Sequence, residues 1–142
     1  MSITFHKEEI EFELPDEHKL MDWLHQVAGS QKKEITQLTY IFCSDEYLLD
    51  INKKYLNHDY YTDIITFPYK EGKSIESDVF ISIDRIHDNA KSYQVTFKQE
   101  LLRVIAHGLL HLLGFKDKSK DEKDEMRKME NWAIEKFNSE FK

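Results

Sequence analysis

Apolar residues recur along the chain with two periods. From Ile3 to Leu14 they largely alternate with polar ones, at Ile3 and Phe5 and again at Ile10, Phe12 and Leu14. That is the period-two pattern of a half-buried strand or a hairpin. Pro15 and Asp16 then open a helix with Leu20, Trp23, Leu24 and Val27 on one face and Gly29 as its expected stop. Glu34 to Cys43 is rich in Ile, Thr, Tyr and Phe and predicts a strand. Ser44 is placed to cap a helix carrying Leu48, Leu49, Ile51, Asn52 and Tyr55. Asp63 to Tyr69 predicts a strand ending near Pro68, Glu71-Gly72-Lys73 a turn, and Asp78 to Ile83 a strand that pairs back as a hairpin.

Beyond that point the period is helical. Asp84 to Ser92 predicts one helix, and Thr96 to Leu113 a second with Leu101, Leu102, Ile105, Leu109 and Leu112 as its apolar stripe. Gly114 supplies the left-handed residue that ends such a helix. Ser119-Lys120-Asp121-Glu122 has the form of a capping box for a last helix, on which Met126, Met129, Ala133 and Phe137 form the apolar face. Strands early and helices late predict an α+β domain, with helices laid on a small sheet, occupying the whole of residues 1–142.

Composition narrows the class. Hydrophobic residues make up 40% and charged residues 33% of the 142, which suits a folded soluble chain able to bury a core without staples. The single cysteine, Cys43, lies in an apolar run and reads as a buried small hydrophobe. No apolar segment resembles a signal or a membrane span, so a cytoplasmic protein without membrane contact is expected. The formal net charge of −7 argues against a broad electrostatic grip on nucleic acid, although not against a local basic patch.

The chemistry concentrates in His107-Gly108-Leu109-Leu110-His111-Leu112-Leu113-Gly114-Phe115-Lys116-Asp117. Two histidines four apart stack on one helix face, where both rings can reach a single ion. Gly114 lets the chain reverse, and the loop after it can swing the Asp117 carboxylate back as a third ligand. Two imidazoles and a carboxylate form a zinc set that leaves a position for water. The bare spacing is a weak signal, and two partly buried histidines paired with unrelated carboxylates would look the same. Gly108 stands where zinc peptidases place a general-base glutamate, which speaks against a peptidase and allows close packing beside the helix.

At these residues the chain resembles the YbeY family of rRNA maturation factors, bacterial zinc-dependent single-strand endoribonucleases. Its hallmark, His-Gly-x-Leu-His-Leu-x-Gly-Tyr/Phe-x-His, is matched at His107, Gly108, Leu110, His111, Leu112, Gly114 and Phe115. A second block is matched at Asn52, Tyr55, Asp59, Thr62, Asp63, Phe67 and Pro68, and a third resembles Asp78-Val79-Phe80-Ile81-Ser82. Two positions depart from the pattern. Asp117 stands where a third histidine is common, and Leu56 stands where the family has an arginine thought to support RNA binding.

The resemblance implies an α+β fold with a small mixed sheet flanked by helices and the metal at a cleft. It implies one zinc ion per chain, and a metal-dependent endoribonuclease trimming single-stranded rRNA 3′ ends and serving ribosome quality control. It also implies small-subunit ribosomal proteins and an assembly GTPase as partners. Two other readings stand beside it. One is a non-catalytic assembly factor with structural zinc, favoured by Leu56 and the acidic charge. The other is a metal hydrolase on another substrate.

The remaining candidates each have a plainer reading. Arg103, one turn before His107, can point at the site or form a surface ion pair. His58 can line the cleft or simply be solvated. Thr62 and Asp63 read as residues that cap or orient a loop. Asp78 reads as an acceptor for a ligand histidine or as the start of its strand. His6, His18, His25 and His87 read as surface residues. Tyr55, Tyr60, Tyr61, Phe67 and Tyr69 can stack on bases, with core packing favoured for Phe67. The run from Lys116 to Lys128 mixes both signs and reads as a solvated face.

Overall fold

A computed structural model describes residues 2–70 and 72–141. In chain order the elements are β1 (Ile3–Glu8), α1 (Glu17–Ser30), β2 (Glu34–Cys43), α2 (Asp45–Leu56), β3 (Ile64–Lys70), β4 (Ser74–Ser82), α3 (Ile83–Tyr93), α4 (Phe97–Leu112) and α5 (Lys120–Glu140). The four strands form one mixed sheet in the order β1-β2-β4-β3, which is the expected α+β arrangement.

Three of the helix starts follow the capping residues in the sequence. Ser44 accepts from the Tyr47 backbone N–H, and Thr96 and Ser119 form full capping boxes with Gln99 and Glu122. Each such cap satisfies donors that the first helical turn leaves unpaired. α4 runs to Leu112, and Gly114, at φ 109°, turns the chain out of it.

The strands depart from expectation where their pairing is long-range. The alternation from Ile3 to Leu14 is not one strand or a hairpin. Glu9 takes a left-handed φ of 56° and ends β1, which pairs parallel with β2 (Ile3 opposite Leu38, Glu8 opposite Cys43). Ile10, Phe12 and Leu14 follow without regular structure and pack on the core, with Phe12 meeting Phe42 edge-on. Gly29 does not stop α1. The helix continues to Ser30, and Lys32 is the residue that takes positive φ.

β4 begins at Ser74, ahead of the expected Asp78, because Ser74–Ser77 have β2 on one side and the end of β3 lies on the other. Ile83 belongs to α3, whose cap is Ser82. β3 continues past Pro68, which lacks an N–H but sits on an edge strand where none is required. β3 and β4 form the antiparallel pair expected of them, although Glu71 of the connecting turn lies outside the described residues.

The larger core lies on one face of the sheet. Leu38, Tyr40 and Phe42 of β2 and Val79 and Ile81 of β4 pack there with Trp23 and Leu24 of α1 and with Leu101, Ile105 and Leu109 of α4. Full burial of one such side chain contributes about 1.5–3 kcal/mol. The buried polar tips are satisfied: the Tyr40 hydroxyl donates to the Ile105 carbonyl, and Trp23 Nε1 donates to the Ala133 carbonyl. α2 covers the other face, where its Leu48 packs with Cys43 and Ile65. Cys43 is buried as expected, and its thiol is pushed up to about 12 by that burial and by nearby carboxylates.

Candidate functional site

α4 crosses the sheet with Gly108 against β3 and β4. A Cβ at this position would stand 2.9 Å from Ile64 Cδ1 and 3.3 Å from Val79 Cγ1. The missing side chain lets the helix lie close to the strands and brings His107 and His111 to the rim of β3. Together with Thr62, Asp63, Thr66 and Asp117 these residues line a cleft of about 270 Å³.

His107 is held from both sides. Its Nδ1 lies 2.7 Å from Glu130 Oε2 on α5, and its Nε2 lies 3.3 Å from Asp117 Oδ2 in the loop after Gly114. The other Glu130 oxygen accepts from Arg103 Nη1 at 2.9 Å, and Arg103 Nη2 donates to Asn131. Arg103 therefore acts on the site through Glu130. Its guanidinium is committed to a largely buried ion pair, which is neither a direct approach to the site nor the surface pair expected of it.

The electrostatics follow from this packing. Burial disfavours charge on His107, but the Glu130 hydrogen bond and the charges of Glu130, Asp117 and Asp63 outweigh it and hold the ring above its ordinary pKa. Burial would raise Glu130, yet His107 and Arg103 hold it below the ordinary glutamate value. Asp63 is raised, chiefly by burial, against the opposing pull of His107.

The chain thus brings His107 and Asp117 into direct contact and places His111 in the same cleft. The His111 ring is exposed and has no partner among the described residues. Among those residues no three His, Cys, Asp or Glu side chains stand already gathered around one point as a metal cluster. The donor chemistry nevertheless suits a zinc ion. A proton on Nδ1, given to Glu130, leaves the Nε2 lone pair of His107 facing Asp117 and the cleft, the carboxylate–histidine arrangement common behind metal ligands.

The second matched stretch, from Asn52 to Pro68, builds the wall opposite. Asn52, 1% exposed, donates from Nδ2 to the Tyr60 carbonyl and accepts from the His58 N–H at its own carbonyl. The Asp63 carbonyl takes the Ser82 N–H, and its carboxylate takes a long hydrogen bond from Asn89. Thr62 and Asp63 are thereby fixed in the cleft wall, so they both orient the loop and line the site.

Other candidates fall outside it. His58 is exposed and stacked on Tyr60, whose hydroxyl lies 2.9 Å from its Nδ1. Asp78 accepts from the Tyr69 hydroxyl at 2.7 Å and is not the carboxylate behind His107. That carboxylate is Glu130, which no sequence motif singles out. Its one signal was a carboxylate at position 130 within the stripe of Met126, Ala133 and Phe137, a charged residue on a face otherwise buried. Phe67 packs edge-on to Phe80 and Tyr55, while Tyr55, Tyr60, Tyr61 and Tyr69 remain exposed.

A mixed sheet carrying a histidine helix, a returning carboxylate loop and a buried carboxylate behind the first histidine forms a polar cleft of the kind a hydrolase uses. The sequence comparisons make the class specific. Residues 2–138 match the family described as Endoribonuclease YbeY, and the chain belongs to that family. A protein named Endoribonuclease YbeY from Cytophaga hutchinsonii is 53% identical over 134 residues, covering 94% of each chain. One of the same name from Flavobacterium johnsoniae is 48% identical over 132 residues, covering 93% of this chain and 95% of its own. The solution structure of a Thermotoga maritima protein matches the fold with a TM-score of 0.62 at 24% identity, covering 96% of this chain and 92% of that one.

Proposed function

We propose that this protein is a zinc-dependent endoribonuclease that cuts single-stranded RNA, with rRNA 3′ ends as its substrate and ribosome quality control as its setting. Its family and the names of its relatives support the activity. The observation that carries the site is His107, anchored at Nδ1 by Glu130 and facing Asp117 at Nε2 in a cleft shared with His111. These three side chains, His107, His111 and Asp117, are the residues that would hold one zinc ion. Bound there, zinc supplies a Lewis acid that brings the pKa of water down to about 7 and offsets charge developing on a phosphate.

The protein's own groups perform the rest. Glu130, kept ionised by Arg103, fixes the tautomer and plane of His107. Asp63 lies in the facing wall with its carboxyl raised by burial, and it is the group we assign to carry a proton to the departing oxygen. Asp63→Asn should lower kcat and leave RNA affinity unchanged, and a matching loss of affinity would remove that role. A set of small-subunit ribosomal proteins and an assembly GTPase are the partners this reading expects. No helix among the described residues is long and apolar enough to cross a membrane.

A specific feature favours a second reading, an assembly factor whose zinc is structural. Leu56, 39% exposed, occupies the position of the family arginine. A peptidase is disfavoured because position 108 faces Ile64 and Val79, where a glutamate has no room. Cleavage of single-stranded rRNA fragments by the parent chain and by His111→Ala separates the readings. Loss of cutting in the variant supports the endoribonuclease, and equal cutting by both refutes it. Zinc measured at one per chain after dialysis tests the metal independently of substrate.

A further inference from the structure

His107 and Asp117 belong to two clefts at once. Besides the one against β3, they line a second, of about 520 Å³, on the side of α5 and the end of α3. Its other walls include Tyr93, Lys123, Asp124, Arg127 and Glu130. Lys123, Arg127 and Glu130 fall at i, i+4 and i+7, so one face of α5 turns all three toward His107.

The charges on that wall are unevenly matched. Glu130 is satisfied by His107 and Arg103, and Asp117 stands against His107. Lys123 and Arg127 are exposed and make no side-chain hydrogen bond or close ion pair among the described residues, although the charge of Arg127 acts on the buried Glu100. Asp124 is the remaining acid of the wall. Two like charges one turn apart repel and disfavour the helix slightly. In a chain of net charge −7, this leaves two exposed cationic side chains beside the site. Tyr93 closes the same cleft with 61% of its surface exposed. A large aromatic face beside two exposed cations offers what a nucleotide requires, a plane for the base and charge for the phosphate.

We propose that Lys123 and Arg127 grip a phosphate of the RNA strand on the α5 side of His107, while Tyr93 stacks one of its bases. The strand then runs from the β3 cleft across His107 and Asp117 into the α5 cleft. The assignment rests on the endoribonuclease reading and adds where the substrate lies. It also gives part of the mixed-sign run after Lys116 a specific task.

Fluorescence anisotropy with a short labelled 2′-O-methyl single-stranded RNA, over a series of salt concentrations, tests it on the full chain. K123Q/R127Q should bind more weakly, with the slope of log K against log salt reduced by roughly 0.7 per charge removed. Tyr93→Leu should weaken binding about ten-fold at every salt concentration without changing the slope. Lys128→Gln, next to Arg127 but outside the cleft, should leave both affinity and slope as they were. If K123Q/R127Q keeps the parent slope while the parent binds and cuts RNA, the phosphate assignment is overturned and the endoribonuclease reading stands. If the parent binds no RNA, both are overturned.

Discussion

His107 and Glu130 are 23 residues apart in sequence, and the ring nitrogen of one lies 2.7 Å from a carboxylate oxygen of the other. That contact fixes the imidazole before any ligand arrives. Glu130→Gln keeps the shape and removes the charge. It should cost about 1–3 kcal/mol of stability, since Arg103 and His107 then face a neutral partner. Zinc affinity should fall roughly 10- to 100-fold. Denaturant titration and chelator competition measure the two effects, and unchanged zinc affinity would remove Glu130 from the site.

The same pair gives the metal-free protein a pH signature. His107 is raised above its ordinary value of 6.5, so its contribution is complete below that value and fades as pH climbs through the higher folded value. Glu130 is lowered from 4.5, so its contribution is complete above that value and fades as pH falls through the lower folded value. The stability difference between parent and Glu130→Gln should therefore peak between these two ordinary values. Urea unfolding of both chains across the range checks this. A difference that is flat with pH would mean the two groups are not coupled.

Gly108 predicts a graded response to size. Alanine adds a Cβ whose nearest neighbour is the far end of Ile64, while removing glycine from a helix interior gains up to about 1 kcal/mol. Gly108→Ala should change stability by less than about 1 kcal/mol. Gly108→Glu should destabilise the fold severely, because its carboxylate would be driven between α4 and the sheet. Thermal melts distinguish the two, and a stable Gly108→Glu chain would show that the helix can lift away from β3.

Asp117 sets a further test. Asp117→Ala should lose zinc on dialysis, and Asp117→His should keep one ion per chain, because imidazole and carboxylate are both competent zinc donors. Elemental analysis reads the result. Retention of zinc by Asp117→Ala would show that the loop contributes no ligand.

Local chemistry was legible in the sequence, and distant pairing was not. The caps at Ser44, Thr96 and Ser119, the apolar stripe of α4 and the turn at Gly114 depend on residues within a few positions of one another, and each lies where the sequence put it. The parallel pairing of β1 with β2 depends on the crossover through α1, and the alternation after Glu9 does not reveal that a left-handed residue breaks the strand. Asp117 could be placed because it follows its helix directly. Glu130 could not, because its partners Arg103 and His107 lie on a different helix and no spacing rule connects them.

The position of Glu130 on α5 also orders events in time. Polypeptides leave the ribosome N-terminus first. The sheet and both histidines exist before the segment that steadies His107 has been translated. A nascent chain therefore carries both histidines before it carries the carboxylate that orients one of them, and the surroundings of His107 are completed only when the last helix docks.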